Sequence, residues 1–98
     1  MRNTNKAVSL NIYDIASILN VTNISACRNG GNVYVKIDAT AKEPFVGWTT
    51  ILNGLPLSFT PTYIQTPNAK IRIQDGALAL SGVEKNAAID TIISYPAK

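Results

Sequence analysis

The chain has 98 residues, which suffice for one domain and not for two, because domains commonly hold roughly 100 to 150 residues. Charged residues make up 15% of the chain and the formal net charge is +3, with lysines and arginines scattered along it. A nucleic-acid-binding surface needs a basic patch that displaces counterions from a phosphate backbone. The scattered charge excludes such a patch, so we treat residues 1–98 as a single domain without a nucleic-acid partner.

The cysteine and histidine content excludes several kinds of site. Cys27 is the only cysteine and the chain has no histidine, which rules out an intrachain disulfide and a cysteine-built metal site and argues against zinc. We expect no metal and no cofactor. Apolar runs stay far below the roughly 18 residues of a membrane span and the roughly 7 to 15 of a signal-peptide core. We therefore expect a chain made in a cytoplasm and not inserted into a membrane.

The structure of the N-terminal segment, residues 1–20, is left open by its pattern. Within Tyr13–Leu19 the apolar spacing fits one or two helical turns, and Asp14 offers a helix cap. The β-branched residues and Asn20 favour extended or irregular structure instead.

A first hairpin is predicted from two alternating runs, Val21–Arg28 and Asn32–Thr40. In the second run every other residue is apolar, which is typical of a strand with one buried face. The buried set comprises Val33, Val35, Ile37 and Ala39. Between the runs, Asn29-Gly30 is typical of a type I′ turn, whose two central residues need positive φ. We predict a tight turn over Asn29–Asn32.

A second hairpin is predicted where Lys70–Gln74 leads into Asp75-Gly76 and Ala77–Ser81 leads out. The register of this hairpin decides whether the two alanines or the two leucines of the outgoing strand share a face with the isoleucines. The pattern alone leaves both registers open.

Three further strands complete the pattern, over Gly47–Leu52, Thr62–Thr66 and Ala88–Tyr95. A proline on either side of the middle one favours an edge strand. About seven short strands at spacings of roughly 8 to 12 residues predict an all-β fold, a small antiparallel sandwich or jelly-roll-like domain. So small a β-domain has open sheet edges, which favour self-association.

The residue types present give little indication of a catalytic site. The absence of histidine removes the usual base of nucleophilic triads, and Cys27 is interpreted as a small buried hydrophobe in a strand. Of the six acidic residues, Asp75 is explained by its turn, whereas Asp38 and Asp90 occupy polar positions of alternating strands. We expect no enzyme, and a carbohydrate-active enzyme with a carboxylate pair stays as an alternative.

The aromatic residues are better candidates for a binding site, because aromatic faces stack on sugar rings and anchor protein interfaces. We predict that a saccharide stacks on Tyr34, Trp48 or Tyr63, with Asp38 and Arg72 as candidate hydrogen-bonding partners. The competing interpretation is that these rings pack in the core or in a subunit interface.

The order of motifs from Val21 to Tyr95 resembles the C-terminal domains of bacteriophage fibre and appendage proteins. The motifs that carry the resemblance are Gly47-Trp48-Thr49-Thr50-Ile51, Leu55-Pro56, Pro61, the Asp75-Gly76 hairpin and a closing isoleucine-rich strand. The chain departs from that pattern at Thr60, where a basic residue is frequent.

The resemblance implies a homotrimer that caps a fibre, contacts other virion proteins and attaches the phage particle to a saccharide or protein on the host surface. It implies a location in the virion after synthesis in the host bacterial cytoplasm, and it carries over no catalytic residue. A purely structural cap, or a baseplate or capsid decoration domain, is the alternative within the same group.

Overall fold

The structure, a computed structural model, describes residues 5–98, and of Asn5 it describes the backbone only. This part of the chain folds into nine β-strands and contains no helix, hence none that could span a membrane. The strands are β1 (Asn5–Ala7), β2 (Asn11–Ile12), β3 (Leu19–Asn29), β4 (Asn32–Ala41), β5 (Thr49–Asn53), β6 (Thr62–Gln65), β7 (Lys70–Gln74), β8 (Ala77–Ser81) and β9 (Ala88–Pro96).

The strands form two antiparallel sheets that pack face to face. The four-stranded sheet has the order β1-β3-β4-β9, and the five-stranded sheet has the order β2-β5-β8-β7-β6. The predicted antiparallel sandwich is thereby confirmed. The predicted edge position of the Thr62 strand is confirmed as well, because β6 pairs with β7 alone.

Alternating side chains of both sheets meet in one core. In β4 the predicted inward set is buried, and in the second hairpin Ile71 lies opposite Leu80 and Ile73 opposite Leu78. The register that pairs isoleucines with leucines is therefore the one the chain adopts. It places the largest apolar side chains of both strands inside, and each contributes about 1.5–3 kcal/mol on burial.

The two hairpin turns differ in type. Asp75 and Gly76 both have positive φ (53° and 78°), as the predicted tight turn requires. In the first hairpin Asn29 pairs with Asn32, so that Gly30 and Gly31 are the central residues. Of these two only Gly30 has positive φ, at 61°. The tight turn is confirmed, but the I′ form suggested by Asn29-Gly30 is wrong, because a second glycine lets the turn sit one residue later as a type II′-like turn.

The helical alternative for Tyr13–Leu19 is also wrong. The segment makes a single irregular turn in which the N–H groups of Ile18 and Leu19 both donate to the carbonyl of Ile15, each at 2.9 Å. Ile15 and Leu19 are buried in the core, so the turn is anchored by its apolar residues.

Tyr95 brings a polar atom into the core at the end of β9. The side chain is buried, and its hydroxyl donates a 2.7 Å hydrogen bond to the carbonyl of Pro56. Burial raises the pKa of Tyr95 to about 12, because the phenolate form would lose its hydration. The bond joins β9 to the loop that follows β5.

Candidate binding surface on the five-stranded sheet

The outer face of the five-stranded sheet carries a row of side chains that crosses four strands. Thr50 lies opposite Ala79, Ala79 opposite Arg72, and Arg72 opposite Tyr63. Trp48 precedes Thr50 by two residues and so extends the same outward phase, since side chains in a strand alternate between faces. The row places three of the predicted site residues on one surface.

Trp48, Tyr63 and Arg72 form a cluster, which we call the aromatic platform. The ring centroids of Trp48 and Tyr63 lie 6.2 Å apart with their planes inclined by 62°. The guanidinium carbon of Arg72 lies 4.8 Å from the centroid of the Trp48 ring, a cation–π contact. Trp48 is 41% exposed and Tyr63 63% exposed, so both rings present surface to solvent.

Small residues beneath the platform make this arrangement fit. Ala79 and Ser81 belong to β8, which lies between the strand next to Trp48 and the strand of Arg72. Both point outward, yet they are only 2% and 9% exposed, and Ala79 is outside the core cluster. Their short side chains leave room for a larger ring to lie across β8. The Trp48 ring, which reaches Arg72 and Tyr63 on the far side of β8, is the group placed to cover them.

The loop that carries Trp48 is fixed by hydrogen bonds to β8 and the segment after it. Ser81 Oγ donates to the carbonyl of Val46 at 3.2 Å. Phe45 and Val83 exchange two backbone hydrogen bonds, of 2.8 and 3.1 Å, and the Phe45 side chain is buried. The segment before Trp48 is thus fixed, and β5 begins directly after it, which lowers the entropy lost when a ligand binds.

A pocket of about 270 Å³ opens beside the two rings. Its lining residues are Trp48, Tyr63, Ile64, Gln65, Lys70 and Ile71. Gln65 lies directly opposite Lys70 in the β6–β7 pair. The pocket therefore combines an aromatic wall with an amide and an ammonium group. Sequence reasoning missed Gln65 and Lys70, although both follow the outward phase of Tyr63 and Arg72.

Tyr34 and Asp38 are not part of this surface. Both belong to β4 and point to the outer face of the four-stranded sheet, on the opposite side of the sandwich. Tyr34 is 38% exposed and lines a separate pocket of about 200 Å³. The five predicted site residues therefore divide into two groups, because the outward phases of β4 and β7 belong to different sheets.

The same outer face of the four-stranded sheet holds Cys27 and a pair of carboxylates. Cys27 is half-buried and lies opposite Tyr34, so the prediction of a buried cysteine is wrong; the buried residue is its neighbour Ala26. Asp38 lies directly opposite Asp90. Residues 5–98 contain no group of three or more histidine, cysteine or acidic side chains that could hold a metal ion.

Comparison with known proteins gives no relative. No protein-family model matches the chain, and no curated protein or solved structure is significantly similar to it.

Proposed function

We propose that the chain is a non-catalytic binding and assembly module, and that it binds a saccharide on the aromatic platform. The observation that carries this proposal is the contact of Trp48 with Tyr63 and Arg72 beside an open pocket. An aromatic ring that stays exposed forgoes the favourable free energy that burial of its apolar surface would give. Two of them fixed side by side at the surface supply a preformed site for the apolar face of a ligand.

The biological setting we propose is a bacteriophage fibre, in which the module trimerises, contacts other virion proteins and attaches the particle to its host. The support for this setting is the order of motifs between Val21 and Tyr95. Open sheet edges and exposed apolar residues also favour self-association.

A saccharide array tests the binding proposal when the parent and two platform variants, Trp48→Ala and Tyr63→Ala, are compared. We expect each variant to lose about tenfold or more in affinity for the saccharides that the parent binds, because aromatic anchors dominate such sites. Tyr63 is 63% exposed, so its loss should change the melting temperature little, whereas loss of Trp48 also uncovers Ala79 and Ser81 and should lower it moderately.

Tyr34→Ala is the matched control, since it removes an aromatic ring of similar exposure from the opposite sheet. Binding by this variant should equal that of the parent. If no saccharide binds to the parent, or if all three variants bind as well as the parent, the platform is not a saccharide site.

The cross-strand pair of Asp38 and Asp90 supports a second candidate function, glycoside hydrolysis by two carboxylates. The two residues lie on an outer sheet face, where Asp90 is exposed and Asp38 half-buried. Product analysis after incubation with the bound saccharides separates the two functions. Retention without turnover supports the binding module, whereas turnover that Asp90→Asn abolishes supports the enzyme.

A further inference from the structure

The charges at the aromatic platform are all of one sign. Lys70 lines the pocket and Arg72 lies over Trp48, whereas the pocket lining contains no aspartate or glutamate. Neither cation forms an ion pair with another residue of the range 5–98. The segment after β8, which passes Lys70 at Gly82, carries one acidic residue, Glu84. Glu84 lines a different pocket. The platform is therefore a small positive surface without internal neutralisation.

The geometry of both cations keeps their donors available. The Arg72 guanidinium contacts the Trp48 ring and donates no hydrogen bond to another residue of the range 5–98, so its N–H donors remain available to a ligand. The methylene groups of Lys70 pass about 4 Å from the position that a Cβ on Gly82 would occupy, so the stem lies along the sheet. This position supports the stem of Lys70, a residue that also lines the pocket.

Two other cations of the described residues donate hydrogen bonds away from the platform, and a third lies on the opposite sheet. Arg28 donates to the carbonyls of Gly30 and Lys98, and Lys42 Nζ donates to the carbonyl of Ala16. Lys36 lies on the opposite sheet. The positive surface at the platform thus rests on Lys70 and Arg72, and two cations are too few for the extended track that a nucleic-acid backbone requires.

Resting on the saccharide platform proposed above, we infer that its ligand is an acidic saccharide. The sugar ring stacks on Trp48 and Tyr63, and its carboxylate or sulfate group accepts hydrogen bonds from Lys70 and Arg72. The Gln65 amide, which can both donate and accept, forms hydrogen bonds with the neutral hydroxyl groups of the sugar. A charge-assisted hydrogen bond at such a site favours the acidic sugar over its neutral counterpart by about tenfold or more.

An array of matched saccharides tests the inference, with pairs that differ only by carboxylate against hydroxymethyl or by sulfate against hydroxyl. Affinities are measured in about 0.05 M and about 0.3 M NaCl, because salt screens exposed charges. We expect the parent to prefer the acidic member of a pair about tenfold at low salt and less at high salt. Lys70→Gln should lose most of that preference while still binding neutral sugars.

Lys36→Gln is the matched control, because it removes the same charge from the opposite sheet and should keep the full preference. Equal binding of acidic and neutral members by the parent would overturn the inference and leave the proposed saccharide platform standing. A preference that Lys70→Gln and Arg72→Gln both retain would overturn it as well. Absence of binding to any saccharide would overturn the inference together with the proposed function.

Discussion

At the scale of single residues, Tyr95 links the folded state to pH. Its pKa is raised from 10.0 to about 12 because burial disfavours the phenolate. A group whose pKa is higher in the folded than in the unfolded chain contributes stability that is complete below the unfolded pKa. That stability is lost as the pH rises through the folded pKa. The fold should therefore weaken progressively between about pH 10 and pH 12.

Tyr95→Phe is expected to lower the free energy of unfolding at pH 7 by about 1 kcal/mol, since the bond to the Pro56 carbonyl is lost and that acceptor stays in place. The variant should also lose less stability than the parent between pH 10 and pH 12. Urea unfolding at several pH values measures both effects. Parallel pH curves for the two proteins would show that Tyr95 is not the titrating group.

Gly76 occupies a position that no other residue fits well. Its φ is 78°, and a Cβ there would lie 2.8 Å from the carbonyl oxygen of Leu55. Gly76→Val should therefore cost more than about 2 kcal/mol, from backbone strain and from the clash together. Thermal unfolding measures the loss.

Gly31→Ala is the control for that variant, because Gly31 lacks positive φ and a Cβ there would meet nothing within 4 Å. It should melt within a few degrees of the parent. A Gly76→Val protein that melts as the parent does would contradict the turn geometry.

At the scale of strands, the sequence predicts elements whose alternation is strong and fails where strands are too short to alternate. The inward set of β4 and the edge position of β6 follow from periodicity and from flanking prolines. In contrast, β1 (Asn5–Ala7) and β2 (Asn11–Ile12) have three and two residues, so no period can be read from them. Only their pairing with β3 and β5 makes them strands.

The sequence predicts only part of the candidate site, because it shows strand phase but not strand order. Strand phase places Trp48, Tyr63 and Arg72 on outward positions, but phase alone does not say which sheet an outward face belongs to. That assignment depends on the strand order, which separates Tyr34 and Asp38 from the other three. The small residues under Trp48 carry no sequence signal of their own, because alanine and serine are common at many strand positions.

The small side chains of Ala79 and Ser81 beneath the platform give a prediction for β8. Ala79→Leu should displace the Trp48 ring from Arg72, because the added side chain occupies the space above β8. Calorimetry should then show saccharide binding reduced about tenfold. Ala88→Leu is the control, since Ala88 is an exposed residue on the outer face of β9. Unchanged binding by Ala79→Leu would mean that the position of Trp48 does not depend on the space above Ala79.

At the scale of the whole molecule, the sandwich leaves apolar surface and sheet edges uncovered. Ile92 on β9 is 65% exposed, and Val46, Leu57 and Phe59 are also exposed. β9 has nine residues and pairs on one side only, with β4. Such edges invite pairing with another chain unless they are blocked.

We predict a homotrimer on these grounds. Sedimentation at micromolar concentration should give a mass close to three times the 10.5 kDa of the chain. Ile92→Lys should weaken association if the β9 side of the four-stranded sheet is buried in the trimer, whereas Lys85→Gln in an exposed turn should not. A monomeric parent would remove the fibre-cap proposal, while saccharide binding on the platform could persist.

Trp48 is the only tryptophan of the chain, and it stands at the platform rather than in the core. The tryptophan emission of this protein therefore originates from one indole whose neighbours are known. Arg72 and Tyr63 set its environment, and a ligand that stacks on it should change the intensity or the wavelength of its emission. Because the indole is separated from the buried core, titration with a sugar can be followed without a label. The protein carries its own optical probe at the place where we expect it to bind.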